Sequence, residues 1–288
     1  MTESILIVGA TGTVGTQLVR QFAASGRRVR ALVRDEGKAA RIAPLATPVV
    51  GDLSRPTTLA PAFKGAERVF VLSPPVPDME RLDRNAFDAA VSASAKRIVY
   101  LSNFGASEHD EMHFKAHAAN ERRLASLGVD WTVLRPTRFM THTPFVWGSV
   151  LRRNLLLEPG GDGAMTVIDP ADVAAVALQA LTTDGHEGQT YDLTSEDSLT
   201  ANELARKLSR ALGRELAIFS GDVNQLRAAL VQSGAPEAYA PLMAGYFALV
   251  TAGFWRVTDT AGRLLGRKPQ SYAQWLDRNL PDILSRAA

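Results

Sequence analysis

The chain has 288 residues, 46% of them hydrophobic and 22% charged, and its 32 basic and 30 acidic residues leave a net charge of only +2. This composition is typical of a globular protein, and the lack of a dense basic block argues against nucleic acid as a partner. The sequence has no cysteine, so thiolate nucleophiles, disulfides and iron–sulfur clusters are excluded.

The ends and the apolar stretches of the sequence bear on where the protein works. The amino terminus, MTESILIVGATG, has no basic segment and no long apolar one, so we expect no signal peptide. The longest mainly apolar stretch, Ala244 to Trp255, is shorter than the about 20 residues that a membrane helix needs. We therefore expect a cytoplasmic protein with no membrane partner.

Short β-branched runs alternate with helical patterns through the first half of the chain. The strand-like runs are SILIVGA, RVRALVR, TPVVGD, RVFVLS, RIVYLS and WTVLRP. Between them, Val14 to Ser25 and Asp83 to Ser94 carry apolar residues at helical spacing. Such alternation with nearly continuous apolar strands is typical of a parallel sheet covered on both faces, so we predict a doubly wound α/β fold.

The second half of the chain no longer shows the regular alternation of strand and helix patterns. Thr141 to Gly163 is rich in proline, glycine and aromatic residues and is predicted to be irregular. A helix is predicted to open at Asp169-Pro-Ala-Asp, and GQTYDLTS indicates one more strand. Thr200 to Glu203 forms a capping box for a helix that Gly213 ends, and Ser271 to Gln274 repeats the box before the last helix. The carboxyl-terminal third is therefore predicted to be mainly helical.

A glycine motif follows the first predicted strand, where Gly9-Ala-Thr-Gly12-Thr-Val-Gly15 leads into a helix. Glycine is needed where a strand turns tightly into a helix and where backbone approaches a pyrophosphate closely. The free N–H groups at the start of the helix then favour phosphate. This context predicts a dinucleotide-binding turn, with a purely structural turn as the alternative. The predicted cofactor-binding residues here are Gly9, Thr11, Gly12, Thr13, Val14 and Gly15.

The end of the second predicted strand bears on which dinucleotide binds. Arg34 comes 19 residues after Gly15, where an arginine favours the 2′-phosphate of NADP and an acid favours the 2′-hydroxyl of NAD. Its planar guanidinium can bind a phosphate through two hydrogen bonds, and Lys38 would add a second charge. Asp35 could instead bind a ribose. We predict NADP(H) as the cofactor, with NAD(H) as the less favoured alternative.

Two further strand ends are predicted to border the cofactor. Asp52, at the end of the third strand, could accept a hydrogen bond from the adenine amino group, and a turn or capping role is the alternative. The prolines after the fourth strand fix the chain there and leave no donors to satisfy. The residues predicted to line the cofactor here are Asp52, Leu53, Leu72, Ser73 and Pro74.

Six segments together resemble the atypical short-chain dehydrogenase/reductase superfamily, and within it the NmrA-like, NAD(P)H-quinone-oxidoreductase-like branch. They are GATGTVG, ALVRD, VVGDL, VLRPTRFM, DPADVAAVA and GRKPQSYAQW. The resemblance covers nearly the whole chain. It implies a Rossmann-type cofactor domain over residues 1–140 and 164–195, and a smaller, mainly helical substrate lobe over 141–163 and 196–288. It also implies NADP(H) in the crevice between them.

The resemblance implies a catalytic site in an unusual form. Typical members carry Tyr-x-x-x-Lys after the fifth strand, and none of the five tyrosines here is followed by lysine four residues later. In extended members a glutamate often follows the lysine by four residues. Counting back from Glu121 puts His117 at the lysine position and His113 at the tyrosine position, and Ser102 matches the family's serine. We predict His113, His117, Lys115 and Ser102 as catalytic residues.

The stretch HDEMHFKAH, which contains these histidines, admits two other interpretations. Residues at this spacing share one helix face, but three of them span about 12 Å along the axis, which is too far for one metal ion. We predict no metal site. His109 lies between two acidic residues and is predicted to be solvated surface, and the same explanation stays open for His113 and His117.

The loss of the tyrosine–lysine pair bears on the substrate. Quinones, enones and iminium ions accept hydride without a strong general acid. We therefore predict an NADPH-dependent reductase whose substrate is a small, apolar, conjugated acceptor. The protein is predicted to be a monomer or a homodimer. A non-catalytic NADP(H)-binding sensor that acts through protein partners is the alternative. Pro136 is predicted at the nicotinamide end. The predicted substrate-pocket residues, each also explicable as core packing, are Phe104, Phe139, Met140, Phe145 and Trp147.

Overall fold

The computed structural model describes residues 4–108, 112–141, 144–158, 163–237, 245, 249–250 and 252–287. The chain divides into two compact units. Unit 1 comprises Met1–Pro136, Pro170–Leu193 and Arg263–Leu265, and unit 2 comprises Thr137–Asp169, Thr194–Gly262 and Gly266–Ala288. The predicted boundaries, after residues 140, 163 and 195, fall near these, and the roles assigned to the two parts stay predictions.

The strands alternate with helices along most of unit 1. Over both units, the described strands in chain order are β1 Ile5–Ile7, β2 Arg30–Val33, β3 Thr47–Val50, β4 Arg68–Val71, β5 Arg97–Leu101, β6 Asp130–Pro136, β7 Arg138–Phe139, β8 Leu155–Leu156, β9 Ala164–Ile168, β10 Gln189–Leu193, β11 Ser198–Thr200 and β12 Ala217–Ile218. All six strands predicted in the first half, and the strand predicted in GQTYDLTS, are confirmed as β1 to β6 and β10.

The helices are named in chain order. They are α1 Thr13–Ala24, α2 Glu36–Ile42, α3 Leu59–Phe63, α4 Met79–Ser92, α5 Met112–Ala125, α6 Pro144–Arg153, α7 Pro170–Thr182, α8 Ala201–Leu212, α9 Val223–Gln232, α10 Thr260–Leu265 and α11 Tyr272–Ala287. None of the helices in the part of the chain described here is long and apolar enough to span a membrane.

Unit 1 is built on a seven-stranded sheet in the order β10-β6-β5-β4-β1-β2-β3. All neighbouring strands are parallel. The order reverses between β1 and β4, and in open α/β sheets the carboxyl ends of the strands at such a point form the ligand site. The predicted doubly wound, Rossmann-type sheet is confirmed.

Unit 2 contains two small sheets, in the orders β11-β9-β7 and β12-β8, together with helices of the carboxyl-terminal region. Its core gathers side chains from α6, α8 and α11, among them Trp147, Leu208 and Trp275. The capping box at Thr200 and the left-handed Gly213 that ends α8 are both as predicted. The box at Ser271 is confirmed as well, by reciprocal hydrogen bonds with Gln274.

The prediction that residues 141–163 are irregular is wrong, because α6 and β8 lie within them. Val146, Trp147 and Val150 stand at helical spacing and are buried in the core of unit 2. The burial of this apolar face stabilises the helix, although the segment is rich in the residues that usually mark loops.

Candidate active site

The glycine turn joins β1 to α1 at the point where the strand order reverses. Gly9 has a positive φ of 76°, and its carbonyl accepts a hydrogen bond from the Gly12 amide. A Cβ on Gly9 would lie 2.4 Å from the Leu72 carbonyl oxygen, and one on Gly15 would lie 2.1 Å from the Gly9 carbonyl oxygen. No larger residue fits at either position, so strand, turn and helix pack more closely than side chains allow.

The start of α1 suits a dinucleotide phosphate. Gly12 is its N-cap and provides no side chain to cap it, and the first turn contains no acidic residue. Thr11, Gly12 and Thr13 are exposed, whereas Val14 is buried. A helix that begins this way offers backbone N–H groups and a partial positive charge to an anion, so the residues present fit the pyrophosphate of NAD(P)H.

Arg34 lies exposed directly after β2. Among the described residues, its guanidinium has no hydrogen-bond or ion-pair partner. The neighbouring charges are already engaged: Asp35 caps α2 by accepting from the Lys38 amide at 2.8 Å, and the Lys38 ammonium lies 3.9 Å from the same carboxylate. Arg34 therefore has the cationic group best placed to meet an added phosphate at the end of β2.

Asp52 shows the turn role that was the alternative to adenine binding. Its carboxylate accepts from the Ser54 amide at 2.9 Å and from the Ser54 hydroxyl at 2.8 Å, and Arg55 pairs with it at 3.3 Å. The backbone hydrogen bond from Ser54 is the first of the contacts that lower the pKa of Asp52. Leu53 packs against the core of unit 1. Adenine binding by Asp52 stays a prediction.

The loop after β4 borders the same strand reversal. Leu72 contacts the glycine turn through its carbonyl, Ser73 is buried and Pro74 is exposed. The Ser73 hydroxyl is buried without a hydrogen-bond partner in the described structure. Pro136 is the last residue of β6 and is buried, and its carbonyl accepts from the Phe104 amide at 3.0 Å.

Helix α5 turns polar side chains toward the sheet. His117, Asn120 and Glu121 stand at helical spacing, so they share one face. Asn120 is fully buried, and His117 and Glu121 are half-buried. Lys115 is exposed. The side chain of His113 and the whole of His109 lie outside the described residues, so their predicted roles stay predictions.

His117 joins a buried chain of hydrogen bonds that crosses from α5 through β5 to α4. The Tyr100 hydroxyl lies 2.7 Å from His117 Nδ1 and donates to Asp83 Oδ2 at 2.9 Å. Asn120 donates to the same carboxylate oxygen at 3.0 Å. Tyr100 is 0% exposed and Asp83 is 1% exposed. A carboxyl group, a phenol and an imidazole are therefore connected in series away from solvent.

Burial changes the titration of this chain. It raises the pKa of Asp83 to about 7, against hydrogen bonds from Tyr100 and Asn120 that favour the anion. Burial, followed by the charge of Asp83, also raises the pKa of Tyr100 well above its usual value. Asp83 can therefore exist in both protonation states near neutral pH, while Tyr100 keeps its proton.

A second polar group lies at the ends of β5 and β6. The Ser102 hydroxyl donates to Glu121, and Arg135 binds both carboxylate oxygens of Glu121, with Nε to Oε1 at 2.9 Å. The hydrogen bonds between Arg135 and Glu121 are the largest cause of the raised pKa of Arg135. Arg135 is thus the ion-pair partner of Glu121 in the structure, and the hydroxyl proton of Ser102 is engaged in the hydrogen bond to Glu121.

The predicted substrate-pocket residues lie in different settings. Phe104 is 0% exposed in unit 1. Met140 and Trp147 belong to the core of unit 2, where Trp147 Nε1 donates to the Thr141 carbonyl at 2.9 Å. Phe139 is half-buried, and the side chain of Phe145 lies outside the described residues. Core packing, the alternative considered for each, is what the structure gives for Met140 and Trp147, and a pocket role stays a prediction.

No three metal-ligand side chains cluster within the described part of the chain. The polar residues that sequence reasoning missed are Asp83, Tyr100 and Asn120. Tyr100 falls in an apolar strand run and Asp83 in a helical pattern, 17 residues apart, so neither stands out locally. The tyrosine in a strand predicted to be buried was a signal that could have pointed to a buried polar partner, because buried tyrosine hydroxyls usually have one.

Two comparisons by sequence match this chain to proteins that use nicotinamide cofactors. Residues 9–184 match the model of a protein family described as NAD(P)H-binding. The NAD(P)H azoreductase of Xenophilus azovorans is 33% identical over 94% of this chain and 96% of its own length.

Solved structures extend the similarity over both units. The NADPH-dependent quinone oxidoreductase of Escherichia coli, complexed with NADPH, has a TM-score of 0.86 at 25% identity, over 96% of this chain and 99% of that one. The triphenylmethane reductase of Citrobacter sp., complexed with NADP(H), has a TM-score of 0.84 at 26% identity, over 94% of this chain and 98% of that one.

Proposed function

Since this chain belongs to the NAD(P)H-binding family, we propose that it is an NADPH-dependent reductase that transfers hydride to a small, apolar, conjugated acceptor of the quinone or dye type. The predicted oxidoreductase family, Rossmann-type fold and nicotinamide cofactor are confirmed by the family match and the relatives. These relatives are named as reductases, which supports an enzyme and lends no support to a non-catalytic sensor.

The observation that carries the proposal is the glycine turn at the strand reversal, where Gly9 and Gly15 leave room that any side chain would fill. The bound nicotinamide supplies the hydride. The chain's own residues have three tasks: to hold the phosphates at the start of α1, to orient the acceptor and to provide any proton that the acceptor needs.

The preference for NADPH rests on Arg34. Its guanidinium is exposed, and the acid beside it, Asp35, is engaged in capping α2. A free guanidinium at a strand end can bind the 2′-phosphate through two charged hydrogen bonds. NADH has a 2′-hydroxyl in place of that phosphate and cannot form them.

Ser102 and His117 are assigned different parts in the reaction. Because the Ser102 hydroxyl donates to Glu121, its oxygen can accept from a substrate hydroxyl but has no second proton to give. Ser102 is therefore proposed to accept a hydrogen bond from a hydroxyl of the reduced acceptor, such as a hydroquinone, with Glu121 and Arg135 holding the serine in place. His117 is proposed as the proton donor, because an imidazole titrates near neutral pH.

The experiment measures NADPH and NADH oxidation with a quinone, an azo dye and a cationic triarylmethane dye. We expect turnover with at least one of the three. Binding of NADPH without turnover of any acceptor would overturn the proposal.

The cofactor preference is tested with Arg34→Ala, and Arg20→Ala, an exposed arginine of α1, is the matched control. Arg34→Ala is expected to raise the KM for NADPH by roughly 10- to 100-fold and to change the KM for NADH much less. Arg20→Ala is expected to change neither. An equal loss with both cofactors in Arg34→Ala would exclude a phosphate contact.

A further inference from the structure

The hydrogen-bonded chain Asp83–Tyr100–His117 contains one hydroxyl proton between two acceptor groups. The Tyr100 oxygen lies 2.9 Å from Asp83 Oδ2 and 2.7 Å from His117 Nδ1. A phenol has one proton to donate, so it can serve only one of these atoms at a time. The other contact must be made by a proton that belongs to Asp83 or to His117.

This constraint leaves two arrangements. In the first, Tyr100 donates to the Asp83 carboxylate and His117 Nδ1 carries a proton that it donates to Tyr100. In the second, Asp83 is protonated and donates to Tyr100, and Tyr100 donates to an unprotonated Nδ1. Moving two protons by one hydrogen bond each converts the second arrangement into the first, with no movement of heavy atoms.

We propose that Asp83 is the proton store for the reduction and that Tyr100 passes its proton to His117, which gives a proton from Nε2 to the reduced acceptor. The inference rests on the proposed function. A quinone that receives hydride becomes a hydroquinone anion with one proton missing. Nε2 supplies that proton, Nδ1 takes the hydroxyl proton of Tyr100, and Tyr100 takes the carboxyl proton of Asp83. Once the product has left, Nε2 takes a proton from solvent, and the two shifted protons return through Tyr100 so that Asp83 is protonated again.

The surroundings of the chain suit this task. The groups that face Asp83 are Ser73 from the β4 end, Tyr100 from β5 and Asn120 from α5, and none of them is cationic. Burial is the first cause of the raised pKa of Asp83, which keeps a population of the protonated form near neutral pH. Glu121, which bears on Tyr100 from α5, further raises the pKa of the phenol, so Tyr100 transfers a proton only as it receives one.

Asn120 provides a matched control inside the same cluster. It contacts the same Asp83 oxygen as Tyr100, at 3.0 Å against 2.9 Å, and it is equally buried. An amide does not titrate, so it stabilises the carboxylate without carrying a proton. Removing Asn120 therefore perturbs the structure of the cluster and leaves the connection between Asp83 and His117 in place.

The activity test uses Tyr100→Phe and Asn120→Ala with two acceptors. A quinone needs a hydride and a proton, whereas a cationic triarylmethane dye needs only the hydride and becomes neutral. For Tyr100→Phe we expect the quinone-to-dye ratio of kcat to fall by roughly 100-fold, the lower end of the range that a general acid contributes. For Asn120→Ala we expect the ratio to stay within about twofold, whatever the individual rates do.

A parallel loss with both acceptors in Tyr100→Phe, or an equal change of the ratio in both variants, would overturn the relay and leave a structural cluster. Thermal unfolding of each variant checks that it folds. If the wild-type protein reduces the dye but no quinone, the relay is overturned and hydride transfer is retained.

A second readout needs no turnover. Nitrogen NMR of cofactor-free, isotope-labelled protein at mildly alkaline pH, with His117→Gln for assignment, reports which ring nitrogen carries the proton. We expect the proton on Nδ1 in the wild type and in Asn120→Ala, and on Nε2 in Tyr100→Phe. If the proton of His117 stays on Nδ1 in Tyr100→Phe, the relay is contradicted. If the wild-type protein shows the expected tautomers but reduces no acceptor, the proposed function is wrong and the hydrogen-bonded chain is retained.

Discussion

Helices α5 and α7 both pack in unit 1 through apolar side chains, but α5 adds buried polar contacts to them. After its first turn, α7 buries only valine, alanine and leucine, among them Val176, Ala177 and Leu181, and it packs on β4, β5, β6 and α1. Helix α5 packs on β6 and α4 and buries Asn120 together with the apolar Phe114 and Leu124, and His117 and Glu121 are half-buried on the same helix.

Apolar burial and buried hydrogen bonds contribute differently to these two helices. Apolar burial is roughly proportional to area and tolerates sliding, so it stabilises α7 without fixing single atoms. Each buried polar group of α5 needs one specific partner, because an unmade hydrogen bond there costs about 1–3 kcal/mol. Polar anchoring therefore holds His117 in one position, which is what the proposed proton transfer requires.

The strongest test of this comparison removes a charge from the polar side. Glu121→Ala leaves Arg135, with 16% of its side chain exposed, without the carboxylate that binds it. We expect the free energy of unfolding to fall by about 3–5 kcal/mol, since an unpaired buried charge is costly. Urea unfolding measures the loss.

The matched control for that variant is the double replacement Glu121→Leu with Arg135→Met, which removes both charges. We expect it to recover most of the stability lost in Glu121→Ala. A loss below about 1 kcal/mol in the single variant would mean that water reaches Arg135 and that the polar anchoring is weak.

The corresponding test on the apolar side is Leu181→Ala in α7. Leu181 is 0% exposed, so its truncation is expected to lower the free energy of unfolding by about 3 kcal/mol through lost burial and a remaining cavity. The loss should be the same at all pH values where the protein folds. Urea unfolding at several pH values measures it, and a pH-dependent loss would contradict the purely apolar account.

The pH dependence of the polar side is tested by Asp83→Asn. The pKa of Asp83 is raised from 3.8 to about 7 in the folded protein, so the folded state binds this proton more tightly than the unfolded state. That contribution to stability is complete below the unfolded pKa and is lost as the pH rises from about 4 to about 7. The loss is on the order of 2–4 kcal/mol.

Asp83→Asn, which cannot ionise, should flatten this part of the stability curve. Unfolding free energies measured across the same pH window in both proteins provide the comparison. Parallel curves for the wild type and the variant would show that Asp83 ionises as easily in the folded state as in the unfolded one.

The smallest effect is expected from a polar contact that lies on the surface of the same helix pair. Asp88 of α4 and Arg123 of α5 form an ion pair at 2.9 Å with 55% and 46% of their side chains exposed. Asp88→Asn is expected to change stability by less than about 0.5 kcal/mol, and less still at high salt. A loss comparable to that of Glu121→Ala would show that burial does not decide the strength of these contacts.

Much of the fold could be predicted because its signals are local. The six strand runs, the glycine turn and the capping box at Thr200 each depend on residues close in sequence, and each is present as predicted. Helix α6 was missed because its stability comes from burying Val146 and Trp147 in the core of unit 2, which no local pattern reveals.

The candidate site was predictable only in part, for the same reason. Arg34 could be proposed as a phosphate contact because of its distance to the glycine turn, and its exposed guanidinium is consistent with that prediction. Tyr100 and Asp83 could not, because only the hydrogen bond between β5 and α4 brings them together. The sequence pointed to His117 by analogy with a lysine position, but Tyr100, which forms a hydrogen bond with its ring, lies on β5 and not on the same helix.

The path of the chain between the two units has a consequence for synthesis on the ribosome. Helix α7 and strand β10 belong to unit 1 but follow an excursion of the chain through residues 137–169. The apolar surface that α7 covers on β4, β5 and β6 therefore stays open in the nascent chain until residue 182 has left the ribosome. The edge position of β10 is filled only after residue 193. During that interval the unfinished sheet has an exposed apolar face and an unpaired edge, and both favour aggregation of a partly folded chain.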